Sequence, residues 1–554
     1  MTFRLLSSVL ALSFLAACQP SKPSATGSGE PAGGGAGGGA AMVVWQQQQE
    51  PDALNTIVSN MMASVNATTP VMSGLVTIDD KMQYVPDLAV ELPTVENGGV
   101  KLAGKGMTVT YKLKPGAKWH DGKPVTSSDV KFVWEIYSDP AVKASSRDGY
   151  DKISKVDTPD PHTVVVHFKE VYAPYILLFG AIFPRHLLEA DLKKMDKPGD
   201  SHFNQSAWNR APIGSGPYKF KNWVSGDHIE YEANPDYYGT KPQLKGMIMK
   251  IIPDENAAFV QLKSQDIDVY QSAALTQYDQ LKGLTDVTIN ETPGLTYEHL
   301  DFNLKNPILK EKVVRKALAM AINRKEISEK IYKGLYEVAY SDQAKSSKDF
   351  YNPEVEAMNP FDPEKAKQVL EDAGWKAGGD GIRAKDGKRL SFEITTTTGR
   401  KPRELTEQVL LQYMKNIGVE LKINNVPGAK LFGRPDGLLY TGKYDIAMYA
   451  WVANPDPNNK FLWHSKQAPP NGQNYTNYSN PEVDKLTEEG NLTVDVKKRG
   501  DIYKRIQVIL AEDVPMVPLL YWTTLDAVNH RVKNFKANAT SAGNLWNSQE
   551  WAVQ

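Results

Sequence analysis

Alternating apolar and polar residues predict strands in the first half of the chain, and helical periodicity appears between them. Residues 108–113 (TVTYKL) alternate with the period of two that is typical of a half-buried strand. Thr126 with Asp129 three residues later has the form of a capping box, so a helix is expected to begin here. The apolar positions of this helix recur at i, i+3, i+4 and i+7 and are Val130, Val133, Trp134 and Tyr137.

The middle of the chain has a regular succession of helical and strand patterns. Asp362 as N-cap, Pro363 in the first turn and Gly374 beyond the end predict one helix. Residues 391–397 then predict a strand, 404–417 a helix and 419–423 the next strand. This βαβ order indicates an α/β fold in which helices cover a partly parallel sheet.

The N-terminal residues have the pattern of an export signal. Residues 5–17 form an apolar run of about thirteen residues, shorter than the roughly 20 that a membrane-spanning helix needs. Ala16 and Ala17 precede Cys18, the only cysteine in the chain, as in the lipoprotein processing box of bacteria. We therefore predict a lipoprotein signal over 1–18 with lipid attached to Cys18. The alternative is an ordinary export signal that happens to contain a cysteine.

Residues 19–41 consist of Gly, Ala, Ser, Pro and a few polar residues, and this composition cannot bury enough apolar area to fold. We predict a flexible linker that spans about 25–30 Å. The glycine run is a poor candidate for a phosphate-binding loop, because no strand precedes it and no Lys-Ser or Lys-Thr follows.

The net charge and the motifs of the sequence argue against several classes of function. The formal net charge is −1, which argues against a nucleic-acid partner. The nine histidines include no i, i+4 pair, and neither a Gly-x-Ser-x-Gly elbow nor a Walker motif is present. His120 beside Asp121 is interpreted as part of a turn. We expect no catalysis, no metal site and no cofactor.

Several longer motifs follow one another in a familiar order. They are AKWHDGKPVTSSDVKFVW from residue 117, IGSGPYKFKNWVSGDHIEYEANPDYYG from 213, VVRKALAMAINR from 313, FDPEKAKQVLEDAGW from 361 and EDVPMVPLLYW from 512. Together they resemble the large extracytoplasmic solute-binding proteins of ABC importers. This family, family 5, takes up oligopeptides, dipeptides and, in some members, nickel or oligosaccharides.

The resemblance implies a two-lobed, periplasmic-binding-protein-like α/β fold of the large peptide-binding type, with mixed sheets and a hinge. It also implies that the chain crosses between the lobes twice, which we place near Pro293 and Thr523. The first lobe is then 42–293 completed by 523–554, and the second is 294–522. The expected protein is a monomer on the periplasmic or cell-surface side of a bacterial membrane. Its expected partners are an ABC permease and the ATPase subunits of that transporter.

Residues 449–464 (YAWVANPDPNNKFLWH) are the strongest candidate for ligand contact. They follow a predicted strand at 444–448, and open α/β sheets present ligand clefts at the carboxyl ends of strands. Trp451 offers an apolar face, and Asn454 and Asp456 offer short polar groups. Ala450 and Val452 flank the tryptophan and are included as candidates. The alternative is a proline-rich turn that only packs.

The resemblance adds two expectations about the ligand. Peptide-binding members carry an aspartate three residues after the tryptophan, where it pairs with the α-ammonium of the peptide; here that residue is Asn454. Asp456 is a possible substitute, and Tyr297 is a candidate stacking residue. An oligopeptide is the expected solute. An oligosaccharide, a nickel chelate or another non-peptide solute is the first alternative, and a sensor lipoprotein or a secreted hydrolase is the alternative from another class.

Overall fold

A computed structural model describes residues 42–59, 61–433 and 436–554. The described residues belong to one compact unit. The predicted signal, the linker and Cys18 lie outside the described residues. Within the described ranges, no helix is long and apolar enough to cross a membrane.

The helices, in chain order, are α1 Met62–Thr68, α2 Ser127–Ser138, α3 Arg185–Lys193, α4 Glu255–Lys263, α5 Tyr278–Lys282, α6 Lys312–Met320, α7 Arg324–Ile331, α8 Pro363–Asp372, α9 Lys401–Asn416, α10 Gly428–Phe432, α11 Leu438–Thr441, α12 Lys460–Trp463, α13 Pro481–Leu492 and α14 Val496–Asp513.

The strands, in chain order, are β1 Met42–Gln47, β2 Val76–Ile78, β3 Tyr84–Pro86, β4 Val100–Ala103, β5 Gly106–Lys112, β6 Ile153–Asp160, β7 Thr163–Phe168, β8 Met195–Lys197, β9 Asp200–Ser201, β10 Tyr218–Val224, β11 His228–Ala233, β12 Gly246–Ile251, β13 Val269–Tyr270, β14 Val287–Phe302, β15 Glu337–Val338, β16 Lys376–Ala377, β17 Arg383–Lys385, β18 Lys388–Arg389, β19 Ser391–Thr395, β20 Glu420–Ile423, β21 Ile446–Val452, β22 Met516–Asn529, β23 Val532–Lys533 and β24 Ala552–Val553.

One mixed sheet runs through the protein in the order β10-β11-β12-β1-β13-β22-β14-β21-β19-β20, and β15 also pairs with β22. Its two longest strands, β14 and β22, are antiparallel neighbours at its centre. The two predicted crossings face each other there, because Pro293 on β14 pairs with Thr523 on β22. The ladder is interrupted between Pro293 and Tyr297, which places an irregular stretch in β14 beside the predicted crossings.

The N-terminal region has a second, antiparallel sheet in the order β4-β5-β7-β6. Strand β5 confirms the alternation at 108–113, and α2 begins after Thr126 with the predicted capping box to Asp129. Val130 and Val133 are buried in the core under this sheet, whereas Trp134 and Tyr137 are half-buried at its edge.

The predicted βαβ unit is also present. Strand β19, helix α9 and strand β20 follow one another, and β19 pairs in parallel with both β20 and β21. Leu410 and Met414 on α9 are buried against the sheet. Helix α8 begins at Pro363 with Asp362 as its N-cap, as the sequence predicts. The α/β fold with mixed sheets is therefore confirmed.

The IGSGPY segment packs so closely that only glycine fits. A Cβ added to Gly214 would lie 1.9 Å from the carbonyl oxygen of Val71. The same segment is held by His120, whose Nδ1 accepts from the Gly214 amide at 3.2 Å and whose Nε2 donates to the Gly216 carbonyl at 3.0 Å. Burial lowers the pKa of His120 to about 4, so the neutral ring can both accept and donate. His120 is thus a structural bridge between two turns.

Gly214→Ala is expected to destabilise the protein by about 3 kcal/mol, because the new methyl group forces Val71 and its backbone to move. Chemical denaturation monitored by circular dichroism measures the loss. Gly379→Ala is the matched control, because a Cβ there meets nothing within 4 Å. Equal stability of the two variants would contradict the close packing at Gly214.

Candidate functional site

The candidate ligand stretch begins on a strand and continues into a loop. Strand β21 extends to Val452, four residues beyond the end predicted from the sequence. Trp451 and Val452 therefore belong to the strand, and the loop proper begins at Ala453. The strand is longer than predicted because its whole length pairs with β14, from Ile446 opposite Phe302 to Val452 opposite Thr296.

Strand pairing brings two candidate residues together. Tyr297 on β14 lies directly opposite Trp451 on β21, and Glu298 lies opposite Ala450. Tyr297 is only 2% exposed and packs in the core beside Trp451. Val452, in contrast, is 70% exposed. The strand register therefore places the buried Tyr297 and the half-buried Trp451 next to an exposed apolar residue at the start of the loop.

Trp451 is half-buried among other rings. Its ring is parallel to that of Tyr475 with the centroids 6.3 Å apart. It makes an edge-on contact with Phe461, with the centroids 6.2 Å apart. Aromatic pairs in these arrangements favour fixed ring positions. Trp451 thus supports Phe461, which comes from the other end of the loop.

A buried ion pair fixes the middle of the loop. Arg499 on α14 donates from Nη1 to Asp456 Oδ2 at 2.8 Å and from Nη2 to the Pro457 carbonyl at 2.8 Å. Both side chains are largely inaccessible to solvent. Burial raises the pKa of Asp456 to about 6, although the charge of Arg499 opposes the shift. The carboxylate of Asp456 is therefore engaged by the protein itself.

A second acid holds the far end of the loop. Asp342 Oδ2 accepts from Asn459 Nδ2 at 2.9 Å and from Trp463 Nε1 at 2.8 Å. Burial raises the pKa of Asp342, while these donors act in the opposite direction. The loop between Ala453 and Trp463 is thus fastened at two places, by Arg499 and Asp342, to the predicted second lobe.

The loop forms one wall of a cavity with a volume of about 720 Å³. Asn454, Asn458 and Phe461 line it from the loop, and its other lining residues come from the predicted first lobe. Its volume is within the range of pockets that hold small-molecule ligands. The aromatic residues in its lining are Tyr137, Tyr150, Tyr172, Phe183, Tyr237, Tyr238, Phe461 and Trp546.

Three charged side chains line the cavity: Asp87, Lys114 and Asp148. Asp87 accepts from the Gly74 amide at 3.0 Å and from the Tyr238 hydroxyl, and burial raises its pKa to about 6. The Lys114 ammonium lies 5.7 Å from the centre of the Tyr238 ring. Most of the wall is therefore neutral, with aromatic faces and hydroxyl or amide groups.

The six predicted ligand residues occupy different places. Asn454 lines the large cavity, and its side chain makes no hydrogen bond to another described residue. A separate cavity of about 30 Å³ is lined by Tyr297, Trp451, Val452 and also Asn454. Ala450 lies behind them on β21, and neither cavity is lined by Asp456.

Sequence reasoning missed most of the first-lobe wall. Asn458 and Phe461 lie within the stretch that the sequence singled out. Tyr237 and Tyr238 belong to the NPDYYG segment, where two adjacent tyrosines were an available signal. No local sequence pattern marked Asp87 or Asp148 as a residue of the cavity. Within the described ranges, no group of three or more His, Cys, Asp or Glu residues is placed to hold a metal ion.

Arg499→Met is expected to cost about 3–5 kcal/mol of stability, because it leaves Asp456 buried without its cation. Asp456→Asn in the same chain is expected to restore part of that loss. Arg505→Met is the matched control on the same helix, because Arg505 pairs with Glu482 at an exposed position, and little change is expected there. Denaturant titrations measure all four proteins; equal losses for Arg499→Met and Arg505→Met would contradict the role of the buried pair.

Known proteins resemble this chain over nearly its whole length. A family profile described as bacterial extracellular solute-binding proteins, family 5 Middle, matches residues 83–473. The oligopeptide-binding protein AppA of Bacillus subtilis is 31% identical over 98% of this chain and 96% of its own length. The structure of AppA in complex with a nonapeptide aligns with a TM-score of 0.72 at 30% identity, covering 93% of this chain and 99% of that chain.

NikZ of Campylobacter jejuni in complex with Ni(L-His) aligns with a TM-score of 0.74 at 26% identity, covering 92% of this chain and 99% of that chain. These structures share the two-lobed architecture predicted from the sequence, in agreement with the mixed sheet described above. The profile match and the extent of the similarity to AppA establish that this chain belongs to the bacterial extracellular solute-binding proteins of family 5.

Proposed function

We propose that this protein captures an oligopeptide between its two lobes and delivers it to the permease of an ABC importer. The cavity of about 720 Å³ supports the proposal, because residues of the predicted first lobe and the loop of the predicted second lobe line it together. A ligand held there touches both lobes at once. It therefore favours the closed arrangement over an open one, and a change of this kind can be recognised by a permease.

The lining suits a peptide. A peptide backbone offers uncharged donors and acceptors at regular spacing, and its side chains need apolar surfaces. Asn454 and Asn458 present amides that can both donate and accept, and the aromatic residues offer flat apolar faces. The similarity to AppA, whose structure contains a nonapeptide, supports the same ligand class.

Binding energy is sufficient for this mechanism. A micromolar dissociation constant corresponds to about −8 kcal/mol, which is enough to shift two arrangements that differ by a few kcal/mol. The irregular stretch of β14 lies beside the crossing predicted near Pro293, and we propose it as part of the hinge. Hydrolysis of ATP belongs to the partner subunits, and no catalysis by this chain is proposed.

A non-peptide solute, such as a nickel chelate, is the second candidate. The similarity to NikZ, whose structure contains Ni(L-His), supports it. So does the neutral amide of Asn454 in the cavity wall, because a neutral group imposes no requirement for a ligand ammonium. The two candidate functions differ in the solute that binds in the cavity: a peptide in the first and a non-peptide solute in the second.

Phe461→Ala is expected to weaken peptide binding by about 1–3 kcal/mol, because the ring offers cavity surface to the ligand. Phe432→Ala is the matched control: Phe432 is 40% exposed against 38% for Phe461, and it does not line the cavity. Calorimetry with a nonapeptide library, Ni(L-His) and maltooligosaccharides measures the binding. A wild-type protein that binds no peptide but binds either other probe would replace the peptide proposal by that solute.

We further propose that lipid on Cys18 anchors the monomeric protein to the outer face of a bacterial membrane. The apolar run before Cys18 and the glycine-rich residues after it support this arrangement. A tether that makes no core contact leaves the folded body free to meet its permease.

Cys18→Ser is expected to abolish labelling with a lipid precursor and to release or mislocalise the protein, while the melting temperature of the body stays unchanged. Ser21→Ala, three residues away, is the control and is expected to retain the label. Fractionation of the expressing cells checks both variants. Equal labelling and membrane retention of Cys18→Ser would contradict the anchor.

A further inference from the structure

Asp148 stands on a rigidly held segment at the cavity wall. On one side, the Arg147 guanidinium donates to the carbonyl oxygens of Tyr137, of Asp139 at 2.9 Å and of Val142 at 2.6 Å. On the other side, Gly149 has a φ of +81°, and a Cβ there would lie 2.8 Å from the Tyr172 ring. The carboxylate between these two residues is therefore presented at a fixed place.

One lysine, Lys152, lies near enough for its charge to lower the pKa of Asp148, but its ammonium pairs with Glu170 and not with this carboxylate. In the part of the chain that the structure describes, Asp148 forms no salt bridge. Arg147 is occupied by carbonyl oxygens, and Lys152 pairs with Glu170 at 2.7 Å. Asp148 faces the cavity and is reached by water; burial and the charge of Asp151 raise its pKa, while the charge of Lys152 and the Gly149 amide act in the opposite direction. Among the described residues its carboxylate therefore has no ion-pair partner in contact with it, and Lys152 offsets its charge only from a distance.

Asp87, the other acid of the cavity, is different. Its carboxylate receives the Gly74 amide and the Tyr238 hydroxyl, and the charge of Lys114 acts on it. Asp87 and Lys114 have opposite charges, so Asp148 leaves the cavity lining with one uncompensated negative charge. A ligand that carries a positive charge gains most by binding at Asp148.

Aromatic rings adjoin the same carboxylate. Tyr150, two residues further on, is stacked on Tyr137 with the centroids 3.8 Å apart. Burial raises the pKa of the Tyr172 phenol, and the nearby charge of Asp148 raises it further. Tyr137, Tyr150 and Tyr172 all line the cavity. A carboxylate next to aromatic faces is a combination that favours organic ammonium groups over metal ions.

We propose that Asp148 is a specificity-determining residue that receives a protonated amine of the bound solute. This assignment rests on the proposed peptide-binding function and adds to it the charge and the position of one ligand group. The amine is either the α-ammonium of a peptide or the side chain of a lysine within it. In this proposal the carboxylate that binds the ligand, Asp148, comes from the predicted first lobe. The loop of the predicted second lobe contributes the neutral Asn454 to the same cavity.

Calorimetry with three C-terminally amidated pentapeptides tests the assignment: pentaalanine amide with a free N-terminus, N-acetyl-pentaalanine amide, and N-acetyl-Ala-Ala-Lys-Ala-Ala amide. Wild type is expected to bind at least one cationic peptide about 10- to 100-fold more tightly than the neutral one. Asp148→Asn is expected to remove that preference and to leave the affinity for the neutral peptide unchanged. Preference for free pentaalanine identifies the α-ammonium, and preference for the lysine peptide identifies the side chain; either result supports the proposal.

Asp236→Asn is the matched control, because it removes the same charge from an exposed position that does not line the cavity. It is expected to retain the wild-type preference. An Asp148→Asn protein that keeps the preference would overturn the assignment of Asp148 but not the proposed peptide function. A wild type that binds all three peptides equally would do the same, and that result does not depend on whether the variant folds. A wild type that binds none of them overturns the proposed peptide function, and the assignment with it.

Discussion

The pairing of β14 with β22 is the constraint on which the remaining structure depends. Each long strand runs through a predicted crossing point, so the backbone hydrogen bonds of one antiparallel ladder join the two halves of the protein. Pro293 has no amide to donate, and the ladder becomes irregular immediately after it. Strand β21 pairs with the far half of β14, and that register places Trp451 opposite Tyr297. The position of the ligand loop thus follows from the pairing of strands at the centre of the sheet.

Buried charges then give the loop its shape. Residues 453–459 (ANPDPNN) have few apolar side chains, so the order of this part of the loop depends on polar partners. Arg499 holds Asp456 and the Pro457 carbonyl, and Asp342 holds Asn459 and Trp463. Asp456, which the sequence offered as a ligand partner, is paired with Arg499 in this structure. Asn454, just before the first anchor point, and Asn458, between the two, are left facing the cavity.

The cavity combines walls of different chemical character. The loop brings two amides and one phenylalanine, whereas the first lobe brings tyrosines, a balanced acid and lysine, and the unpaired Asp148. Broad apolar faces with few directional groups tolerate varied side chains, while a single fixed charge selects one end of a ligand. This combination of surfaces suits a protein that recognises a group common to all its solutes and tolerates solutes that differ in their other groups.

The sequence by itself determined the elements and the family. The capping box of α2, the N-cap of α8 and the βαβ order from β19 to β20 were all predictable, because hydrogen bonds and apolar periodicity within a few residues set them. The site was predictable only in the stretch around Trp451 and Asn454. Tertiary structure alone decided that β21 continues to Val452 and that Asp148 faces the cavity. It also decided that Arg499 forms an ion pair with Asp456, which is 43 positions away in the sequence. Those outcomes depend on strand register and on packing between distant segments, and no local pattern in a single sequence encodes them.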